Sequence, residues 1–431
     1  MTEPGAADLD AAVEGRASGK RILRNAASIL LGDVAGDIII AIAIALAAVS
    51  LGPAGFGRLS EAQAFMEPFA ALAALGLGSV AITVAAQRGS CDGALRGSIL
   101  GIQLVAALIA AVVGLGAAIA TGRSSLLPIM GVLAAGFFVA PITVSALLPY
   151  QCDQAIHKRL ALPFLVSVVR LGTAYLAFYL YNQPLGYQLS GFASSVAAAG
   201  LGVVWARRHY PAKLEIDRAV VVQLLRLGWP AAVLEFVVMA YTKLSYFLLH
   251  SAGATVQGEY AAADRLIAPV LGLAAALFVS SLPTLATLSA QHRYEELTTL
   301  YRRSIVRTIL SLTPVAAAAW LLTGVILRKL VPEYAGAVWP FRILSVGAMF
   351  MFLNQMSTSF IIALGKFRLI MFVALMNLVV YIALAVQLIP RYRAVGAALS
   401  TATMEGVNTL MQIAIVFWLL REARHSKPPI A

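Results

Sequence analysis

Apolar residues run along this chain in long blocks, separated by short segments that are polar or marked by glycine and proline. About 20 apolar residues suffice for a helix to cross the hydrocarbon layer of a bilayer. Twelve such blocks occur, at 26–49, 62–86, 98–120, 127–149, 161–181, 187–206, 219–249, 258–288, 304–327, 341–363, 368–389 and 395–420. They predict an all-α polytopic membrane protein. A polar segment "RRHYPAKLEIDR" at 207–218 divides the blocks into six and six. The predicted organisation is a tail at 1–24, an N-lobe at 25–206, the linker, a C-lobe at 219–421 and a tail at 422–431. Residues 1–20 begin acidic and are nowhere apolar, so a cleaved signal peptide is not expected.

Composition agrees with the pattern. Of 431 residues, 60% are hydrophobic and only 12% charged, with a mean hydropathy of +0.85, outside the range of soluble domains. The net charge of +12 raises the question of nucleic acid, and its distribution answers it. With the N-terminus inside, 21 of the 32 Lys and Arg fall in inner segments, 7 in outer ones and 4 within apolar blocks. Positive charge is retained on the cytoplasmic side of membrane proteins. The basic balance is therefore topology, both termini are expected in the cytoplasm, and no nucleic-acid partner is expected. Cys91 and Cys152 read as loop residues with neither metal-ligand spacing nor a disulfide framework.

The two halves repeat. "LGPAGFGRLSEAQAFMEP" at 51–68 has a counterpart in "SAGATVQGEYAAADRLIAP" at 251–269, with Gly57 on Gly258 and Pro68 on Pro269 at an offset of 201. At an offset of 202, Arg24 falls on Arg226 and Asp33 on Glu235. An even number of spans per half makes the repeats parallel, related by an axis along the membrane normal, with a central cavity expected between them. Gly57, Pro68, Gly258 and Pro269, with Glu67 beside Pro68, are the candidate gate or hinge positions. The prolines are expected to kink the second and eighth spans near the outer surface.

An ionisable residue inside a span costs at least about 2.5–3.5 kcal/mol on insertion scales and asks for a reason. Asp33 and Asp37 share one face of the first span, and Glu235 occupies the matching place in the seventh. They are candidates to bind a coupling proton or sodium ion or to balance cavity cations; packing against basic or amide groups is the alternative. The cations are Arg170, Lys243, Arg265 beside Asp264, and Arg226. An arginine fork suits phosphate oxygens. The competing roles are an ion pair of Arg170 with Glu405 in the other half, and snorkelling of Asp264 and Arg265 to the outer surface. Span-end aromatics, including Tyr150, Tyr187, Trp205, Trp229, Tyr334, Trp339 and Trp418, predict an interfacial belt. The linker and "QHRYEELTTLYRR" at 291–303 read as surface helical pieces, able to touch anionic headgroups or a partner protein. No Walker-type phosphate loop or long outer loop occurs, so neither an ATPase motor nor an enzyme is expected, and no cofactor beyond a coupling ion.

The first-block "LGPAGFG" together with "GWPAAV", "GEYAAADRL" and "SSLPTLATLS" in the second half resembles the bacterial polysaccharide flippases of the Wzx type, in the multidrug/oligosaccharidyl-lipid/polysaccharide exporter superfamily. The resemblance covers residues 20–421. It implies alternating-access movement of an undecaprenyl-diphosphate-linked oligosaccharide across a bacterial inner membrane, among membrane lipids and other polysaccharide-assembly proteins. Two departures bear on substrate or coupling ion: Val49 stands where members of that family usually carry arginine, and "YTK" at 241–243 stands where many carry an acid. A drug or metabolite antiporter of the same superfamily, a membrane polymerase or ligase of lipid-linked sugars, and a non-transporting scaffold are the alternatives.

Overall fold

The computed structural model describes residues 6–88, 90–153 and 161–425, with side chains from Gly36 onward except at 269–277 and a few isolated positions. Within these residues there are helices and turns but no strand. Twelve helices follow one another: α1 (6–51), α2 (53–88), α3 (Gly93–Ala120), α4 (Leu127–Cys152), α5 (Ala161–Leu180), α6 (Pro184–His209), α7 (Arg218–Leu249), α8 (Ala254–Ala290), α9 (Tyr294–Leu330), α10 (Val338–Ala363), α11 (367–392) and α12 (394–425). Nine described helical stretches are long and apolar enough to cross a membrane; one of them holds α1 and α2, another α11 and α12. The protein is a multi-pass membrane protein. The face carrying the linker at 210–217 is called the linker face below. The opposite one, where α1 meets α2 and α7 meets α8, is the turn face.

The breaks have local causes. Gly52, at φ 64° and ψ 176°, adopts a conformation that side chains disfavour, and Pro53 then opens α2 at the position where a missing N–H costs nothing. The chain reverses on a single residue. The second span therefore begins at 53 rather than 62, so Glu61 is a helix residue. Pro68 does not lie near the turn face as expected: it is buried, about 22 Å down α2 at 1.5 Å per residue. The departure comes later, at Leu75 (φ 53°) and Gly76 (φ 59°). Arg393, at φ 50° and ψ −124°, separates α11 from α12. The stretch 291–303 is mostly the start of α9, whose Leu297 and Tyr301 are buried in the C-lobe, and the linker is not helical. Cys152 ends α4 instead of lying in a loop.

The turn-face half of the molecule shares one apolar core across both lobes. Phe56, Phe65 and Met66 of α2 pack in the same cluster as Leu249, Tyr260 and Ile267 of α7 and α8. Towards the linker face the cores separate. Leu285, Tyr301, Phe360 and Leu420 form a cluster within the C-lobe. Leu77, Val84, Leu95 and Ile99 of the N-lobe enclose Val220 and Leu224 of α7. The first turns of α7 thus belong physically to the N-lobe, and its last turns to the C-lobe.

At the turn face the repeat-related glycines meet. A Cβ placed on Gly57 falls 1.9 Å from the carbonyl oxygen of Ala254, and one on Gly258 falls 1.8 Å from that of Pro53. Pro53 and Ala254 are themselves offset by 201, so the contact maps onto itself when the lobes are exchanged. Backbone lies on backbone where α2 crosses α8, which no residue with a side chain permits. Replacing Gly258 by Leu is expected to weaken this closed arrangement by about 1–3 kcal/mol, the usual cost of overpacking. Spin labels at the turn-face ends of α2 and α8 would report it as a longer interlobe distance; an unchanged distance distribution would mean that closure does not depend on the glycine pair.

Candidate functional site

Two arginines, one from each lobe, converge on a single pocket below that glycine contact. Arg170 of α5 and Arg265 of α8 line it with Gln63, Tyr187, Ser190 and Phe56. Arg170 is positioned from its backbone: Ser190 Oγ donates to the Arg170 carbonyl at 3.0 Å, and Thr173 and Ser190 hydroxyls bond at 2.9 Å, tying α5 to α6. Gly191 leaves room for the guanidinium, since a Cβ there would lie 3.4 Å from Nη1. Arg265 donates through Nη2 to Gln63 Oε1, and Gln63 in turn donates to Gln188 Oε1 at 2.8 Å. The Nε of Arg265 is buried without a hydrogen-bond partner.

No described carboxylate makes an ion pair with either arginine. The lock between Arg170 and Glu405 does not form. Glu405 accepts from Asn354 Nδ2 at 2.6 Å within an amide cluster that includes Asn408 and Gln412. Arg265 does not snorkel, and its neighbour Asp264 accepts from Tyr246 Oη at 3.0 Å. Two cations with no compensating acid repel each other and are poorly solvated, an arrangement that attracts an anion.

A second, mostly apolar cavity of about 400 Å³ adjoins this pocket, sharing Ile44, Phe56 and Arg265 with it. Asp37, Val49, Leu327 and Tyr334 are also on its wall. Asp37 is exposed, at the end of this cavity away from the turn, and Glu235 is exposed on α7. Arg226 is exposed nearer the linker face and lines neither space. The side chains of Asp33 and Pro269 lie outside the described residues.

Three polar bridges join the lobes near the turn face. Glu61, with its side chain only 6% exposed, accepts from Arg123 Nε at 3.0 Å and pairs with His250 Nδ1 at 2.6 Å. Arg123 also donates to the Phe247 carbonyl and sits over the rings of Phe65 and Phe247. Deeper, Lys243 pairs with Glu67 at 2.7 Å, so this cation is matched across the interface rather than free in the pocket. Tyr334 Oη donates to the Ala48 carbonyl at 2.7 Å. Hydropathy had set Glu61 and Arg123 outside the spans, and His250 drew no notice. Their only sequence signal was a lone acid and a lone arginine beside outer turns.

The aromatic belt is split. Trp229, Trp339 and Trp418 are exposed, as such a belt requires. Tyr150, Tyr187 and Tyr334 are buried and bonded inside, Tyr187 to Ser50 and Tyr150 to His209. Their phenols reach partners that position alone does not reveal.

Removing one partner of a buried ion pair costs about 3–5 kcal/mol when the other is left uncompensated, and less here, where Glu61 keeps His250. Arg123→Ala is expected to lower the thermal unfolding midpoint in detergent accordingly. Adding Glu61→Gln should recover much of the loss, whereas equal midpoints for single mutant and wild type would show the bridge to be dispensable.

Comparison with known proteins follows this geometry. No curated protein matches the chain. Among solved structures, the inward-facing conformation of a multidrug resistance MATE family transporter of the MOP superfamily is 16% identical, covering 91% of this chain and 95% of that one at a TM-score of 0.69. Its outward-facing counterpart is 15% identical, with 93% and 96% covered and a TM-score of 0.64. A MOP superfamily transporter from Pyrococcus furiosus, described as having a binding pocket of reversed polarity that suggests a different function, is 17% identical, with 94% and 97% covered and a TM-score of 0.64. These likenesses establish the fold. Residues 22–289 match the family described as "Polysaccharide biosynthesis protein", and since that match spans more than half of a chain with this two-lobed membrane fold, the chain belongs to the polysaccharide biosynthesis protein family.

Proposed function

We propose that the protein is a flippase that carries a lipid-linked oligosaccharide, with a diphosphate as the anionic link, from the cytoplasmic to the outer leaflet of a bacterial inner membrane. The observation that carries this reading is the pair Arg170 and Arg265 in one pocket between the lobes, with no acid among the described residues to neutralise either. A diphosphate supplies two adjacent anionic groups, and each guanidinium fork can hold phosphate oxygens through two hydrogen bonds. The polyprenyl tail stays in lipid while the headgroup moves.

The excess of Lys and Arg on the N-terminal side supports cytoplasmic termini. The linker face is then cytoplasmic, and the shared core, the glycine crossing and the polar bridges close the outer side. Alternating access requires these contacts to part as the linker-side ends approach. Asp37, Glu235 and Asp33 are the acids through which a proton or sodium gradient would act. An antiporter of cationic drugs or metabolites is the second reading, and Asp37 in the larger cavity favours it. The unmatched arginines speak against it, because a cation placed beside them is repelled.

The test is complementation in a strain lacking the protein. Wild type should restore surface polysaccharide. Arg170→Ala and Arg265→Ala, present at wild-type membrane levels, should each reduce export at least about tenfold, the loss of one charge-assisted contact, and leave lipid-linked saccharide accumulated inside. Deletion without change in surface polymer or its precursors would overturn the flippase reading. Under the same assay, Asp37→Asn should abolish gradient dependence if that acid carries the coupling ion, and full gradient-driven export by this variant removes it from the mechanism.

A further inference from the structure

The linker is not a loose tether. It leaves α6 at Tyr210 and runs as a strap across the end of α3. There the Glu215 N–H donates to the Gly93 carbonyl at 3.2 Å, and the Asp217 N–H donates to Ser98 Oγ at 3.0 Å. Gly93 and Gly97 let it lie flat, since a Cβ on either would overlap the strap backbone at 1.9 and 2.3 Å. Beneath it lies a cleft of about 350 Å³ between α3, α4 and α6, on the linker side of the N-lobe and apart from the interlobe pocket.

The cleft is polar at one end and apolar at the other. At the strap end stand Arg96, Arg207 and Tyr210; deeper are Leu100, Ile142 and Val203. At 1.5 Å per residue the apolar residues lie about 9–15 Å inside the helix ends, within the hydrocarbon layer. Arg96 is only 6% exposed. Its Nε donates to the Ser145 carbonyl at 3.1 Å and its Nη1 to the Tyr210 carbonyl at 3.0 Å, and its Nη2 makes no hydrogen bond with any described residue. Of the nearby acids, Glu215 on the strap is exposed to solvent, while Asp153 and Asp217 are engaged. Asp153 accepts from the Tyr210 hydroxyl, and Asp217 caps α7 by accepting from the Ala219 N–H at 2.8 Å. Burial first, and the bond to Asp153 second, push the Tyr210 phenol up to about 12, so it stays a neutral donor. The strap itself presents Leu214 and Ile216 exposed, 47% and 72%, beside Lys213 and Arg218. Exposed aliphatic residues flanked by cations suit the headgroup zone of a membrane, and Glu215 and Asp217 alternate with them on the strap, so the cations of the cleft, Arg96 and Arg207, carry the preference for an anionic lipid.

We infer that this cleft binds an anionic glycerophospholipid of the surrounding bilayer, its phosphate meeting Arg96 and Arg207 and an acyl chain following Leu100, Ile142 and Val203 into the hydrocarbon. The arrangement fits a membrane lipid better than a soluble anion, because an apolar wall continues from the cations into the membrane. A lipid seated there braces the strap, and with it the start of α7, against the N-lobe.

Native mass spectrometry of the full-length protein, released from detergent and titrated with phosphatidylglycerol or phosphatidylcholine, tests this. Phosphatidylglycerol adducts are expected to form at least about tenfold more tightly than phosphatidylcholine adducts. Arg207→Ala removes an exposed cation and Leu100→Trp fills the apolar end, and each should abolish that preference. Arg170→Ala, in the interlobe pocket, should leave it intact. Equal binding of the two lipids, or an undiminished preference in both cleft variants, would overturn the site. Displacement of phosphatidylglycerol by millimolar inorganic phosphate would overturn it as well, by assigning the cations to a soluble anion.

Discussion

A charge carried into hydrocarbon has to be met by something, and that constraint organises this protein. Most of its intramembrane charges are met by the protein itself: Lys243 by Glu67, Arg123 by Glu61, Asp264 by a tyrosine, and Glu405 by an asparagine. These matched groups hold the lobes together or fix helices within one lobe. Arg170 and Arg265 have no ion pair with a described acid, and they line one pocket from the two lobes. The neutralised charges thus do the work of structure, while the pair without an acidic partner is the one on which the flippase proposal rests.

The lobes are joined unevenly. Near the turn face they share a core, a backbone crossing and several polar bridges, whereas near the linker face the contact runs through the first turns of α7. Gly228 and Pro230 of α7 lie beside the Leu75–Gly76 break of α2, and a Cβ on Gly76 would come within 2.8 Å of the Ala231 Cβ. A break in α2 beside a glycine and a proline in α7 gives this junction less resistance to bending than two unbroken helices would. Motion of one lobe against the other has a defined place to be absorbed.

Much of the fold was legible because the bilayer enforces it: twelve apolar blocks became twelve helices, and the glycines of the repeat proved to touch. Arg170 and Arg265 were legible as cations in apolar surroundings. Their lack of an acidic partner was not, because pairing between residues a hundred positions apart is decided by helix rotation and tilt. Glu61 and Arg123 escaped notice for another reason. Hydropathy marks where apolar content rises, not where a helix starts, and α2 begins at Pro53, with the polar residues Arg58, Ser60 and Glu61 in its next turns. The buried tyrosines show the same limit, since a position near a span end does not say which way the ring faces.

The glycine crossing carries a consequence for ancestry. A contact that maps onto itself under exchange of the lobes is the kind that two identical subunits make about a twofold axis. A single six-helix unit bearing one such glycine would present the same self-complementary patch, and two copies would assemble as a homodimer through it. Fusion of two genes then needs no new interface, only a strap such as 210–217. Once fused, the two sides of the contact are free to diverge everywhere except at the glycines, where each lobe still constrains its twin.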